Sequence, residues 1–290
     1  MAFIHWHTFP IRHYECDAYG HVNHANYLRY MQEAAFGATH AVGFSPQAFA
    51  ERNLMWVAYE TDIEYIAQLV YGDTLHVKTW VEDFRRVRSL RQYELYRDEQ
   101  LIARAHTDWV LLDTQKLTPV SIPSDIVEAY AAGDPVEPPA SREKLPTYPK
   151  IPDNAFRMRR SVAWRDLDPV GHVNNAVYLH YTADCGMQIA KNYGWSMLTM
   201  RDRGYGNVAR RHTIEYKNAA QLDDELEIST WITHMRRASA IRHYVIKRVH
   251  DDKLIARIRT LAIWINLETK QPARIPQAYR EAFADNLVAT

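Results

Sequence analysis

Asp17-Ala-Tyr-Gly20-His21-Val22-Asn23-His24-Ala25-Asn26-Tyr27-Leu28 returns as Asp168-Pro-Val-Gly171-His172-Val173-Asn174-Asn175-Ala176-Val177-Tyr178-Leu179. The second copy lies 151 positions after the first, 168 against 17, which is about half of the 290-residue chain. The same register pairs Gly43-Phe44-Ser45 with Gly194-Trp195-Ser196 and Ile63-Glu64-Tyr65 with Ile214-Glu215-Tyr216. It also pairs Leu75, Val77, Thr79 and Val81 with Leu226, Ile228, Thr230 and Ile232. From Leu101-Ile102-Ala103-Arg104 and Leu254-Ile255-Ala256-Arg257 onward the offset is 153, so the second copy gains two residues near His250-Asp251-Asp252. The chain is a tandem repeat, and what repeats includes polar residues that a core does not need.

Organisation follows from that register. A first domain is expected over residues 1–132 and a second over 155–290. Between them, 133–154 holds prolines at 135, 138, 139, 146, 149 and 152. A segment this rich in proline cannot join a sheet and reads as a semi-rigid spacer. Each half is long enough to bury its own core. Within a half the pattern is one short strand, one long helix and four strands. Ala25, Leu28, Met31, Ala35 and Ala38 fall at helical spacing, from about Asn23 to Thr39. Gly43 and Gly194 stand where a chain leaves a helix in a left-handed turn. Leu75-x-Val77-x-Thr79-x-Val81 alternates with period two, and Trp109–Leu112 and Ala262–Ile265 are apolar runs suited to buried strands. Short turns between the strands favour an antiparallel sheet. The fold class is therefore α+β, two units in which a long helix covers an antiparallel sheet. The halves are expected to pack as an intrachain pseudo-dimer.

Composition excludes several classes of function. Acidic and basic residues balance at 35 each, so no charge excess points to nucleic acid or to a membrane surface. No stretch approaches the roughly 20 apolar residues of a membrane span. The two cysteines, Cys16 and Cys185, do not align between the copies, which argues against a disulfide framework and for a cytoplasmic location. The first residues lack the basic head and apolar run of a signal peptide. No His-x-x-x-His pair lines up with a carboxylate in both copies, so neither a metal nor another cofactor is expected.

The Asp-x-x-Gly-His-Val-Asn-x-x-x-Tyr string before a helix resembles the hotdog-fold thioesterases of the 4-hydroxybenzoyl-CoA thioesterase type. The first copy is most similar to the small bacterial acyl-CoA thioesterases. Arg165-Asp166-Leu167-Asp168 followed by His172-Val173-Asn174-Asn175 is similar to the motif of the acyl-ACP thioesterases, which are also tandem hotdog chains. The resemblance implies that Asp17 and Asp168 are catalytic carboxylates and that His21 and His172, four residues on, assist them. His24, seven residues after Asp17, matches a histidine common in the small enzymes; Asn175 replaces it in the second copy. The acyl-ACP enzymes have an asparagine two residues after the aspartate, where this chain has Tyr19 and Val170.

Thioester hydrolysis needs an activated water or a covalent nucleophile, and a carboxylate can serve as either. It also needs donors for the carbonyl oxygen. Backbone N–H groups near Gly20-His21-Val22 and Gly171-His172-Val173, at the expected helix start, are candidates. Gly20, Val22, Asn23, Gly171, Val173 and Asn174 are thus candidate substrate contacts, with the two asparagines also able to cap the helix. Arg85, Arg86, Arg236 and Arg237 are candidates for the phosphates of CoA or for an acidic carrier protein. Trp56, Tyr59, Phe84 and Tyr205 are candidates to line an acyl tunnel, and Glu33 and Asp184 are fallback carboxylates on the helix. The expected partner is acyl-CoA or acyl-carrier protein, with further pairing into a homodimer. Two rival readings remain: a non-catalytic acyl-thioester-binding module, and a dehydratase or hydratase on the same fold.

Overall fold

The computed structural model describes residues 3–131 and 147–288. The chain divides into two compact units, Met1–Leu145 and Pro146–Thr290. The proline-rich segment expected over 133–154 lies outside the described residues as far as residue 146.

Unit 1 runs β1 (Ile4–Pro10), α1 (His24–Ala41), α2 (Pro46–Glu51), β2 (Leu54–Tyr65), β3 (Thr74–Phe84), β4 (Arg88–Arg97), β5 (Gln100–Asp113), β6 (Thr118–Pro119) and α3 (Ser124–Ala131). Its strands lie in the order β1-β3-β4-β5-β2, with β6 also paired to β5, and every pairing is antiparallel. Unit 2 repeats the plan with β7 (Phe156–Ser161), α4 (Val177–Asn192), α5 (Met197–Asp202), β8 (Tyr205–Tyr216), β9 (Glu225–Thr233), β10 (Ser239–Arg248), β11 (Leu254–Asn266) and α6 (Gln277–Ala282). Its order is β8-β11-β10-β9-β7, again antiparallel. Of the two period-two segments expected to be half-buried strands, β3 alternates as expected, whereas β9 is buried on both phases from Ile228 to Thr233. On β3 the inward set is Leu75, Val77, Thr79 and Val81, all buried, and on β4 it is Ser89, Arg91, Tyr93 and Leu95.

The long helix lies on that inward face. α1 packs on β1 and β3, and α4 on β7 and β9. Leu28, Met31, Ala34 and Ala38 are buried there, and Leu28→Ala alone is expected to cost about 2–5 kcal/mol. Contact between α1 and β1 is close: a Cβ at Gly37 would stand 2.9 Å from both His5 Nε2 and His7 Nδ1, so a side chain there would have to displace both imidazoles. Gly43 and Gly194 leave their helices at φ of +93° and +75°, as expected of left-handed exits.

Three details differ from expectation. α1 begins at His24 rather than Asn23, because Asn23 Oδ1 accepts the Ala25 N–H at 3.0 Å and so serves as the cap. Ala262–Ile265 is only partly buried, with Trp264 alone fully inside. The short helices α2, α3, α5 and α6 were not anticipated; α2 and α5 are capped by Ser45 and Ser196. The extra residues of the second copy do lie between β10 and β11, where the connection is longer than that between β4 and β5.

Candidate active site

The motif folds as the same turn in both units. In unit 1, Gly20 N donates to Asp17 O at 2.9 Å and Asp17 N to His21 O at 2.7 Å. In unit 2 the matching bonds, Gly171 N to Asp168 O and Asp168 N to His172 O, are both 2.9 Å. Gly20 and Gly171 have φ of +77° and +83°, a region costly for other residues, which explains the glycine in each copy. The aspartate side chain closes its own turn: Asp17 Oδ1 accepts Tyr19 N at 2.8 Å, and Asp168 Oδ1 accepts Val170 N at 3.0 Å. Each carboxylate keeps its other oxygen outside that bond, and each residue is half-buried. His21 and His172 are half-buried, as is His24, the first residue of α1.

The backbone donors expected from the motif are not where the sequence suggested. Val22 N donates to Leu69 O at 2.8 Å, and Val173 N to Ala220 O at 2.9 Å. With Gly20 N and Gly171 N committed to the turn, these four N–H groups are not available to a substrate carbonyl. Val22 and Val173 are moreover 5% exposed, which makes them core residues. Asn23 caps α1, its Oδ1 accepting Ala25 N at 3.0 Å, whereas Asn174 Oδ1 accepts Ala176 N at 3.0 Å in the turn before α4, whose N-cap is Ala176.

The scaffold beneath the turn is also duplicated. Glu15 and Asp166, two residues before each motif aspartate, are buried. Glu15 Oε2 accepts Arg12 N at 2.7 Å; Asp166 Oδ2 accepts Ala163 N at 2.9 Å and the Tyr181 hydroxyl at 2.8 Å. Burial, then the bond to Asp166, pushes the Tyr181 phenol well above its ordinary range. Tyr65 Oη donates to His24 O at 3.0 Å and Tyr216 Oη to Asn175 O at 3.2 Å, tying a strand to each helix start. The signal for both sets was the register itself, which pairs Glu15 with Asp166 and Tyr65 with Tyr216.

A family model described as the acyl-ACP thioesterase N-terminal domain matches residues 3–130, and one for the thioesterase-like superfamily matches 162–283. An Aquifex aeolicus protein that carries an esterase name is 30% identical over 118 residues, 41% of this chain and 91% of that protein. The chain belongs to the hotdog thioesterase family. Arabidopsis thaliana oleoyl-acyl carrier protein thioesterase 1, a chloroplastic protein, is 25% identical over 248 residues, 78% of this chain and 63% of its own length. This hotdog chain thus spans less than two thirds of the length of the plant relatives it matches first. The structure of a 12:0-ACP thioesterase from Umbellularia californica has the same tandem fold, with a TM-score of 0.72 over 93% of this chain and 94% of that one at 20% identity.

The remaining candidates of this family member separate. Arg85, Arg86, Arg236 and Arg237 are exposed, but they sit on the β3–β4 and β9–β10 hairpins. The loops that hold the motif turns, at Leu69 and Ala220, precede the other ends of β3 and β9. An 11-residue strand such as β3 spans about 33 Å, so neither arginine pair reaches the aspartate of its own unit. Asp184 is exposed and paired with Arg160 at 2.9 Å, and Glu33 is exposed. Tyr27 and Tyr178 are core residues, each 3% exposed. Burial pushes the Cys16 thiol up, which works against a nucleophilic thiolate. Among the described residues no group of three or more His, Cys, Asp or Glu is placed to hold a metal, and no helix is long and apolar enough to cross a membrane.

Proposed function

We propose that this chain hydrolyses acyl thioesters, releasing a carboxylic acid and the carrier thiol, with water as the only co-substrate. The carrying observation is the duplicated turn that presents Asp17 and Asp168 with one carboxylate oxygen bound by backbone and the other left for chemistry. Asp17 or Asp168 acts as general base toward water or as nucleophile through a mixed anhydride. His21, His172 and His24 are the groups assigned to orient the water and to protonate the departing thiolate. The amide end of Asn23, whose Oδ1 is held by the helix cap, is the donor assigned to the carbonyl oxygen in unit 1. The carrier is CoA or an acyl-carrier protein; the names of the plant relatives favour the latter and those of the small bacterial relatives the former.

The test is free-thiol release from acyl-CoA and acyl-ACP panels with wild type, Asp17→Asn, Asp168→Asn and the double variant. Asparagine keeps an Oδ1 to accept Tyr19 N or Val170 N, so the turn survives and only the charge is lost. Losing a general base is worth about 10²–10⁴-fold in rate. Activity lost only in the double variant means two working sites; loss in one single variant names the live copy. Full activity in the double variant refutes the assignment of the aspartates. A chain that binds acyl thioesters without releasing thiol is a binding module instead.

A further inference from the structure

β4 carries a charge on the phase where its neighbours are apolar. Arg91 faces α1 together with Tyr93 and Leu95 and is 5% exposed. Its Nη2 donates to the Tyr130 hydroxyl at 2.9 Å, and its Nη1 reaches Thr79 Oγ1 only at 3.4 Å. The Tyr130 ring lies 5.2 Å from the guanidinium carbon. Tyr130 Oη is also 2.7 Å from Thr39 Oγ1, which donates to Ala35 O at 2.8 Å. Tyr130 therefore accepts from Arg91 and donates to Thr39. Among the described residues no carboxylate pairs with Arg91, and Ser89 Oγ makes no hydrogen bond. A guanidinium buried with neutral acceptors alone is unfavourable until an anion completes it.

Beside Arg91 is a cavity of about 30 Å³, walled by Thr39, Trp56, Ser89, Arg91, Trp109 and Tyr130. That is room for about two water-sized groups. Its rim includes Phe36, which is 46% exposed. The cavity begins at Ala35, about 17 Å along α1 from His24 at 1.5 Å per residue.

Unit 2 carries the same arginine in different surroundings. Arg242 aligns with Arg91 and reaches Thr230 Oγ1 at 3.4 Å, as Arg91 reaches Thr79. Ala190, Ala240 and Phe283 stand where unit 1 has Thr39, Ser89 and Tyr130. Asn286 Oδ1 accepts from Arg242 at 3.3 Å. Trp264 meets Tyr279 edge-on and Tyr279 stacks on Phe283, with centroids 4.5 and 4.2 Å apart, at the positions that align with Leu111, Ile126 and Tyr130. The arginine belongs to both copies, and in unit 2 the Tyr279 hydroxyl also bonds Arg242; the hydroxyls of Thr39, Ser89 and Tyr130 belong to unit 1.

We propose that the cavity receives a carboxylate at the far end of the acyl group, so that the preferred thioesters are ω-carboxyacyl rather than methyl-ended; this rests on the thioester reading above. Arg91 supplies the charge, Ser89 a hydroxyl donor, and Trp56 and Trp109 flank the last methylenes. The test uses pairs of acyl-CoA substrates of equal length, from six to sixteen carbons, that end in a methyl or a carboxylate. Wild type, Ser89→Ala and Arg91→Met are compared by thiol release. At the matching length the carboxylate-ended ester is expected to have a kcat/KM about ten-fold higher or more, as for a charged hydrogen-bond partner. Ser89→Ala should narrow that ratio several-fold and Arg91→Met should invert it. Ser89→Ala places in unit 1 the residue unit 2 already carries, so the test survives if Arg91→Met does not fold. Preference for methyl-ended esters at every length, or a ratio that Ser89→Ala leaves unchanged, overturns the proposal. Calorimetric titration with the free diacids and monoacids separates the two readings. Diacid binding that Ser89→Ala weakens, with no thiol released from any ester, would sink the hydrolase reading and keep the cavity. Thiol release with no distal preference and no diacid binding would sink the cavity alone.

Discussion

His243 gives unit 2 an acid-sensitive point whose size follows from its surroundings. The residue sits on β10 and is 5% exposed. Its ring stacks on Trp231 at 5.4 Å, and Nε2 meets Thr233 Oγ1 at 2.9 Å. Ala155, Val245, Ile151 and Val288 pack around that tryptophan. Burial pushes the imidazole pKa down to about 4 from 6.5, with smaller contributions from the charges of Arg259 and His234. A base whose folded pKa is depressed is neutral in the fold and protonated in the unfolded chain between those two values. In that window the unfolded state binds more protons, so stability rises with pH and is lost as pH falls from about 6.5 to about 4. The full loss is about 3 kcal/mol, of which about 2 kcal/mol is gone by pH 5. Urea unfolding of the whole chain at pH 8, 6.5 and 5, followed by tryptophan fluorescence, measures it. His243→Gln is the control, because unit 1 carries Gln92 at the aligned position. The variant is expected to lose about 2 kcal/mol less than wild type between pH 8 and 5, other acid effects being common to both. Equal losses in the two proteins would refute the assignment of a buried neutral imidazole.

Other consequences are as direct. Asp166→Asn weakens the acceptor for both Ala163 N and Tyr181 Oη; a stability loss of about 1.5–3 kcal/mol is expected in the same assay, and no loss would mean the loop does not depend on that carboxylate. Asn23→Ala removes the cap of α1 and should cost about 1 kcal/mol, with a further fall in thiol release beyond what the stability loss explains if its amide end serves the carbonyl. Cys185 is 0% exposed and burial pushes its thiol up to about 12, so a disulfide reagent at pH 8 should titrate at most Cys16 in the native chain and both cysteines in denaturant. Two native thiols would show that α4 opens on the timescale of labelling.

The sequence carried the architecture because the repeat testifies twice. Period-two alternation in Leu75–Val81 and Leu226–Ile232 placed β3 and β9, and the glycine after each long helix placed its exit. The motif turn was legible for the same reason: Gly20 and Gly171 stand at positive φ where only glycine is at ease. What the motif hid was the fate of its N–H groups. Val22 and Val173 read as helix-start donors, yet the carbonyls that take them belong to Leu69 and Ala220, in loops far along the chain. A local string shows which residues can turn, not which distant carbonyl satisfies the turn.

The arginines mark a different boundary between what sequence shows and what it withholds. Counted as a cluster, Arg85, Arg86, Arg88 and Arg91 look like one solvated strand edge. Yet β4 lies between β3 and β5, and its inward phase runs Ser89, Arg91, Tyr93, Leu95. The alternation that sends Tyr93 and Leu95 into the core sends Arg91 there as well, while Arg85 and Arg86 stay exposed on the hairpin. Phase therefore separates two arginine populations that proximity merges. The same phase in β10 places Arg242 with Tyr244 and Ile246. Both copies thus carry a charge on an apolar phase, where a neutral side chain would avoid the desolvation cost. In unit 2 the Asn286 side chain and the Tyr279 hydroxyl supply acceptors for it; in unit 1 the Tyr130 and Thr79 hydroxyls do, beside the cavity proposed for the acyl end.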